Sequence, residues 1–468
     1  MSFAGPSNYK TLRIDKSNVT DSVFAQTIEA VDTDSYSFNT KTAELEGKTV
    51  RFDYFESIYS PMVTAKTTIV DTGDSATDER DNLATIRDGF PIVGDGTEFI
   101  TFEIVTGSGT LKTKQPMAVT GAPITLDQNQ RQILTLPLVS KYSVDTSSKP
   151  RLGHYGIGTI DEAVKKILKE NNLPFLEENI EKSSTLDKVD GKNETPIDLI
   201  FHLSKKTKPV TGAPGFFFYE TQEGFNFRSI EGLIQQGMEY YKNNSTDRTY
   251  TYSNNQRQDP TAEDNYKLVK MPVIRRDQNL ITALKTGVYN VRIQTKNLLT
   301  GEFTDNVVNL LDKNSTYLGN EPSVKPNQNE TTASNYARTY SYVLTPGSLD
   351  EGVSTKITNN PAEYEPQANM RYAMLHSQIV DIQIPCNTRL MAGNVIKLLI
   401  ENVSSGNKTN QVDNPTRSGF YLILHLRHHF DPKHSYTSLT LARDTYGLYT
   451  SNKWVHQEIH HLLKQIVN

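Results

Sequence analysis

The chain has 468 residues, of which 22% are charged, and its formal net charge is −5. That length allows about three domains and a sizeable core, and the mild negative charge gives no reason to expect general binding to nucleic acid or anionic membranes. A hydrophobic fraction of 36% and a mean hydropathy of −0.53 indicate many polar loops or wet interfaces between subunits.

The single cysteine, Cys386, precludes an internal disulfide and suits a reducing cytosol, or any setting in which folding does not depend on disulfides. We expect it to be a small buried hydrophobe. The N-terminal residues contain no apolar segment, so no signal peptide is expected. No window reaches about 18 apolar residues, so we also expect no transmembrane helix and no membrane insertion.

Residues 1–150 are expected to form a small β domain behind a polar N-terminal arm. Residues 1–45 are polar and predict an extended arm or a long loop. Period-two patterns then predict strands from Thr49, with a corner at Ile58–Pro61. The further strands are expected over Met62–Val70, Phe90–Val93, Glu98–Val105 and residues 131–144.

Residues 151–245 change pattern and predict an α+β connecting domain. Thr159 to Glu162 reads as a capping box that opens a helix with Ile160, Ala163, Val164, Ile167 and Leu168 on one face. Thr195–Pro196 predicts an N-cap with proline at the first helical position, before a helix that ends near Lys206. The aromatic runs Phe216–Tyr219 and Phe225–Phe227 flank a polar turn and predict a buried β-hairpin, followed by a short helix capped by Ser229.

Residues 246–450 return to β patterns and predict a second β domain. Gly287–Thr295 and Glu302–Leu311 predict a long hairpin, and Ala368–Ser377 a short helix. Residues 312–366 are rich in Asn, Pro, Thr and Ser and predict an insertion, a mobile loop or a partner arm. Four strands are then expected at Gln378–Pro385, Val395–Asn402, Gly419–His429 and Ser435–Arg443. Residues 451–468 predict a C-terminal amphipathic helix.

The histidines are the main candidates for a metal site, because seven of the ten lie between His425 and His461. On a strand, His425 and His429 would be roughly 13 Å apart, too far to share a zinc ion, and His428 would point to the other face. We therefore predict polar positions on an exposed or interfacial strand. His456 and His460 share one helix face, but Gln457 stands where a metalloprotease motif needs glutamate, so a solvated helix face is expected.

Other motifs do not indicate catalysis. Gly156 to Asp161 resembles a degraded dinucleotide-binding loop, but no apolar strand precedes it. The sequence contains no phosphate-binding GxxxxGK[ST] loop and no GxSxG nucleophile elbow. No carboxylate pair can be singled out as acid and base. We predict no catalytic, cofactor-binding or metal-binding residue.

Several stretches together resemble the baseplate hub protein of contractile-tailed phages, a family related to the spike-base proteins of type VI secretion. The ordered matches cover most of the chain, whereas residues 1–45 and 312–366 have no counterpart. The matching stretches are Phe52–Asp71, Phe90–Ile104, Thr159–Lys169, Thr195–Lys206, Gly215–Leu233, Ile382–Ile396 and Gly419–Asp444.

This resemblance implies an α+β, mainly β fold, with two similar tail-tube-like β-barrel or sandwich domains flanking the small α+β domain. It implies a non-enzymatic structural virion protein: a homotrimer whose six β domains form a pseudo-six-fold ring between the hexameric tail tube and the trimeric central spike. Such a ring would enclose the DNA-ejection channel without specific DNA binding. The expected location is the virion tail baseplate after assembly in the host cytoplasm. As a separate hypothesis, the apolar face of the predicted C-terminal helix binds the tape-measure protein, another baseplate component or the chain's own body.

Three alternatives stay open. A type VI spike-base component would need a long C-terminal β-helical spike, whereas this sequence closes on a predicted helix. A cell-wall hydrolase acting at the tail tip would need a carboxylate pair. A carbohydrate-binding adhesin is suggested only by the 23 tyrosines.

Overall fold

A computed structural model gives the fold of this chain. It describes residues 8–15, 28–30, 42–44, 48–73, 76–77, 83–85, 98–106, 109–112, 116–121, 123–126, 131–147, 149, 153–191, 193–243, 248–252, 269–277, 279–298, 301–309, 316–319, 338–344, 361–400, 414 and 416–445. The predicted strand Phe90–Val93 and the predicted helix 451–468, with His456 and His460, lie outside these residues.

The described residues are mainly in β-strands, which confirms the predicted α+β, mainly β class. The strands are β1 Asn8–Asp15, β2 Ile28–Ala30, β3 Thr42–Glu44, β4 Thr49–Ser57, β5 Thr64–Asp71, β6 Ala76–Thr77, β7 Leu83–Ala84, β8 Glu98–Thr106, β9 Gly109–Lys112, β10 Met117–Val119, β11 Ile124–Leu126, β12 Gln132–Ser140, β13 His154–Thr159, β14 Phe175–Ile180, β15 Leu186–Asp190, β16 Phe216–Thr221, β17 Gly224–Ser229, β18 Thr249–Tyr252, β19 Lys270–Arg276, β20 Asn290–Asn297, β21 Phe303–Asn309, β22 Arg338–Leu344, β23 Gln378–Pro385, β24 Val395–Ile400, β25 Gly419–Phe430 and β26 Ser435–Arg443. The helices are α1 Lys141–Ser147, α2 Ile160–Glu170, α3 Pro196–Lys206, α4 Ile230–Asn243, α5 Leu280–Thr286 and α6 Pro361–Leu375.

The N-terminal module is built on an antiparallel sheet of five strands, one of which is divided into two parts. Its first, second, third and fifth strands are β4, β5, β8 and β12, and its fourth is interrupted into β10 and β11. Pairing places them in the spatial order first, second, fifth, fourth, third. Alternation of apolar and polar side chains favours strands with one buried face. In β12, for example, Leu134, Leu136 and Leu138 are buried and alternate with partly exposed residues.

The C-terminal module repeats that topology. Its five strands in chain order are β19, β23, β24, β25 and β26. They pair, again antiparallel throughout, in the same spatial order of first, second, fifth, fourth, third. The prediction of two similar β domains is therefore confirmed by strand order and direction, whereas their exact boundaries remain a prediction.

The two modules differ mainly in what joins their first and second strands. In the N-terminal module this is the predicted corner, where Ser60 N donates to the Ser57 carbonyl. In the C-terminal module it is residues 277–377, which hold α5, a sheet in the order β21–β20–β22, and α6. The hairpin β20–β21 was predicted. The predicted insertion 312–366 lies within this connection, and its described residues include β22, which pairs in parallel with β20, and the start of α6 at Pro361.

The connecting α+β unit packs α2 and α3 against the sheet β14–β17–β16. The aromatic hairpin is present as β16 and β17, and at its turn Gly224 has a φ of +119°. A Cβ there would lie 2.5 Å from the Pro174 carbonyl oxygen, so the site requires glycine. Ser229 caps α4 as predicted, with its Oγ accepting from Gly232 N at 3.0 Å, but that helix has 14 residues and is not short.

The predicted N-terminal cap is confirmed at α3, whereas the one predicted at α2 is wrong. Thr195 accepts from Asp198 N at the start of α3, with Pro196 in the first turn. Thr159 makes no side-chain cap bond at the start of α2, because Ser183 contacts the first turn of this helix and its Oγ accepts from Asp161 N at 3.2 Å. There Asp161 instead accepts from the Ser183 hydroxyl at 2.8 Å and from its N–H at 3.0 Å. The five residues predicted for the apolar face of α2 are all buried.

Three further boundaries differ from the prediction. The polar arm 1–45 contains β1, which pairs with β8, because exposed backbone groups at that sheet edge accept a further strand. The strand predicted for 131–144 ends at Ser140, where α1 begins. Helix α6 is longer than predicted, at 15 residues, because it is held between the sheet of β20–β22 and α4.

Candidate assembly site at the junction of the two modules

Strand β25 belongs to both modules. Its first part, Gly419–Leu422, pairs with β24 inside the C-terminal module. Its second part, His425–Phe430, pairs on the same side with β4 of the N-terminal module. Between them the Ile423 carbonyl accepts from Gly393 N at 2.9 Å and the Leu424 carbonyl accepts from Ile58 N at 3.0 Å. Within the described ranges, the two modules thereby form one sheet of 16 strands.

The inner face of this junction is mainly apolar, and it also carries His428 and Glu56. Phe52 lies 4.6 Å from Phe102 and 6.3 Å from Phe430 between ring centroids. The His428 ring stacks on Tyr54 and its Nδ1 lies 2.9 Å from Thr437 Oγ1. Burial lowers the pKa of His428 to about 3, so it is neutral at physiological pH.

The outer face of the junction carries a charge cluster around Asp53. Its carboxylate accepts from Arg427 Nη2 at 2.8 Å and from Arg51 Nε at 2.6 Å, and it lies 2.6 Å from His429 Nδ1. Burial opposes ionisation, but hydrogen bonds from His429, Arg427 and Arg51 outweigh it and lower the pKa of Asp53 to about 2. The cluster ties β4 to β25 electrostatically.

Three of the histidines singled out in the sequence lie on β25 at this junction. His425 is exposed and His428 does point to the opposite face, as expected. Of the two predicted alternatives, an exposed or an interfacial strand, β25 is interfacial, since it pairs with β4 at the junction, and both His428 and His429 are buried there. The described residues hold no group of three or more His, Cys, Asp or Glu side chains that could bind a metal ion.

A groove of about 590 Å³ runs along the outer face from the junction to β19, the far strand of the C-terminal module. Its charged side chains include Arg427, Arg275, Lys270 and Asp381. Arg275 forms an ion pair with Asp381, and Arg427 binds Asp53. Two of the three cationic side chains in the groove, Arg275 and Arg427, are therefore paired with carboxylates of the same sheet.

Two buried carboxyl groups join the aromatic hairpin to both modules. Glu56 of β4 accepts from Gln222 N at 2.7 Å and Ala392 N at 2.8 Å. Glu220 of β16 accepts from Val63 N at 3.0 Å and the Ser140 hydroxyl at 2.8 Å. Burial is the main cause that raises the pKa of both to about 7, and the nearby charge of Glu56 adds to the rise at Glu220.

A third polar joint surrounds Arg371 of α6, which is fully buried. Its guanidinium donates to Glu231 of α4 at 2.9 Å and to Asp444, just after β26, at 2.8 Å, and also to the Thr316 carbonyl at 2.8 Å. Burial alone would lower the pKa of Arg371, but the charges of Glu231 and Asp444 raise it, so the group stays charged. The triad fixes α4, α6 and the end of the main sheet together.

Sequence reasoning missed these joints. The sequence of β4 did contain a signal for Glu56. Its side chain lies on the same strand face as Phe52 and Tyr54, so an acidic residue occupies a position where the alternating pattern predicts a buried apolar one. No comparable signal marks Arg371, whose partners are distant in sequence. The prediction for Cys386 is confirmed, because it is buried and burial raises its pKa to about 12.

Within the described part of the chain, no helix is both long and apolar enough to cross a bilayer.

The cavity beside Glu220 measures about 30 Å³, which holds one or two water molecules. A sugar ring therefore does not reach this carboxyl group in the structure.

No protein-family model and no curated protein sequence matches this chain. Similar solved structures include the tail protein from Neisseria meningitidis MC58, at 10% identity over 87% of this chain and 95% of that one, with a TM-score of 0.46. The 43 kDa tail protein of prophage MuSo2 from Shewanella oneidensis is 10% identical over 85% and 94%, with a TM-score of 0.45.

A third similar structure is the E. coli c3393 protein, described as a type VI secretion component with structural similarity to the T4 tail proteins gp27 and gp5. It is 12% identical over 91% of this chain and 79% of that one, with a TM-score of 0.42. The similar structures are thus of the kind that the sequence resemblance predicted. At TM-scores below 0.5 they carry no inference about activity, so the function of this chain has to be inferred from its own geometry.

Proposed function

We propose that this chain is a structural virion protein, the trimeric baseplate hub that adapts a hexameric tail tube to a trimeric central spike. The observation that carries the proposal is the repeated module together with its junction. One chain presents two sheets of equal topology, joined edge to edge by β25 and β4.

A repeated module explains how a trimer can meet a six-fold partner. Three chains would present six modules of the same strand order, so one surface of the ring approximates six-fold symmetry while the chain itself repeats three times. The contact between copies is then heterologous, with different surfaces meeting on the two sides, and such contacts form rings when the rotation closes. The pairing of β25 with β4 shows how two modules of one chain contact each other.

The groove supports the proposed channel without specific DNA binding. Phosphate binding needs lysine and arginine side chains that are not already neutralised. In the groove, two of the three cationic side chains are paired, Arg275 with Asp381 and Arg427 with Asp53, and Lys270 is the third. We propose that this face lines the DNA-ejection channel and lets DNA pass without holding it.

The remaining assignments belong to the same proposal. The partners would be the spike protein on one side and tail-tube or tube-initiator proteins on the other, within a virion baseplate assembled in the host cytoplasm. The segment 451–468 would bind the tape-measure protein, another baseplate component or the chain's own body. No enzymatic step is proposed.

The oligomeric state tests the proposal. Native mass spectrometry should show a species three times the 52.6-kDa chain, alone or with the spike protein. A monomer under both conditions would contradict it. A muralytic assay tests the enzymatic alternative: turnover that is abolished by one carboxylate substitution would overturn the non-enzymatic proposal.

A further inference from the structure

The fourth strand of each module is divided into two parts that pair differently. In the C-terminal module, the part of β25 before the divide pairs with the third strand, β24. In the N-terminal module, β10 likewise pairs with the third strand, β8. The second part of β25, next to the turn into the fifth strand, pairs with β4. The equivalent second part in the N-terminal module is β11, next to the turn into β12.

The strand β11 has a position equivalent to the joined part of β25 but lacks the equivalent neighbour. It pairs with β12, and among the described residues no second strand lies on its other side. The first strands show the same difference. Strand β4 pairs with β5 on one side and β25 on the other, whereas β19, its counterpart, pairs in the described structure with β23 alone.

We propose that copies of this chain join by antiparallel pairing of β19 in one copy with β11 in the next. This inference rests on the proposed ring and names the surfaces that close it. The contact repeats, between chains, the fourth-to-first strand pairing that β25 and β4 make within one chain. The ring would then alternate two equivalent kinds of junction, and each module would have a neighbour on both sides.

The chemistry of β19 suits an edge that stays unpaired until assembly. It carries Lys270, Arg275 and Arg276, and charged residues on an edge oppose premature pairing. Pro272 lies at a register shift between Lys270 and Val273, where a missing N–H is tolerated. Val273 is 53% exposed, an apolar side chain that a neighbouring strand would cover.

Disulfide trapping tests the contact, because facing residues on antiparallel strands have Cα separations that a disulfide accepts. Val273→Cys is combined in turn with Ile124→Cys, Thr125→Cys and Leu126→Cys, so that the three variants sample the register. Oxidation of at least one should give covalent dimers and trimers. Val307→Cys with the same three partners is the matched control, since Val307 is also 53% exposed but lies on β21. The unsubstituted chain, with Cys386 buried, should give no cross-link.

Hydrogen exchange on the unmodified protein provides a second measurement that needs no variant. Amides in 270–276 and 124–126 should exchange more slowly in the trimer than in the monomer obtained by dilution. A trimer that shows neither cross-links nor this protection would overturn the β19–β11 contact and leave the hub proposal standing. A chain that stays monomeric with and without the spike protein would overturn both.

Discussion

Replacing Glu220 by glutamine should remove part of the pH dependence of this protein's stability. Glutamine keeps the volume, its carbonyl can accept from Val63 N, and its amide can donate to the Ser140 hydroxyl, which also accepts. The substitution therefore removes the titration while retaining the hydrogen bonds of the joint.

The magnitude can be worked out from the raised pKa of the carboxyl group. Burial raises the pKa of Glu220 from 4.5 to about 7, which corresponds to about 3 kcal/mol. Because the folded state favours the neutral form, its stabilising effect is complete below pH 4.5 and is lost as the pH rises through about 7. The wild-type protein should thus lose up to about 3 kcal/mol more than Glu220→Gln between pH 4.5 and pH 8.

Hydrogen exchange of the aromatic hairpin, residues 216–229, measures the local opening free energy at pH values from 4.5 to 8. The difference between wild type and Glu220→Gln measures the titration of Glu220 together with its coupling to Glu56, whose charge contributes to the raised pKa of Glu220. Glu178→Gln is the control, since Glu178 is exposed on β14. Parallel pH curves for wild type and Glu220→Gln would refute the reasoning, because they would show that Glu220 does not hold a proton near neutrality.

Three further substitutions test the other joints, each by thermal unfolding followed by circular dichroism. Arg371→Ala should cost about 3–5 kcal/mol, because it leaves the buried carboxylates of Glu231 and Asp444 unpaired; a loss below about 1 kcal/mol would contradict the triad. Asp53→Asn should destabilise the junction by about 1–3 kcal/mol at pH 7, and a neutral effect there would show that the cluster is dispensable. Wild type should lose stability as the pH falls from 6.5 towards 4, because the pKa of buried His428 is lowered in the folded state, and His428→Leu should not show this loss. An equal loss of stability in both proteins over this pH range would contradict the reasoning.

The polar joints lie where the modules meet, and this placement has a structural reason. Apolar contacts alone tolerate many arrangements of similar volume, whereas a buried charge or carboxyl group is stable only with its specific partners. Glu56, Glu220 and Arg371 each bind groups from at least two other segments of the chain. They fix the relative positions of the hairpin, the helices and the two modules, which a protein that assembles into a ring needs in order to present matching edges.

The sequence by itself determined the local elements of this protein. Alternating burial in β12 and β26, the proline after Thr195 and the turn at Gly224 each depend on a few neighbouring residues, so they could be predicted without the fold. The exceptions, Thr159 and the segment after Ser140, lie where contacts from distant residues override the local preference. Only the tertiary structure decided that β25 serves both modules and that Asp53 meets Arg427, residues 374 positions apart. Strand pairing depends on backbone groups that every sequence carries, and a side-chain pattern therefore specifies which face is buried but not which distant strand becomes the neighbour.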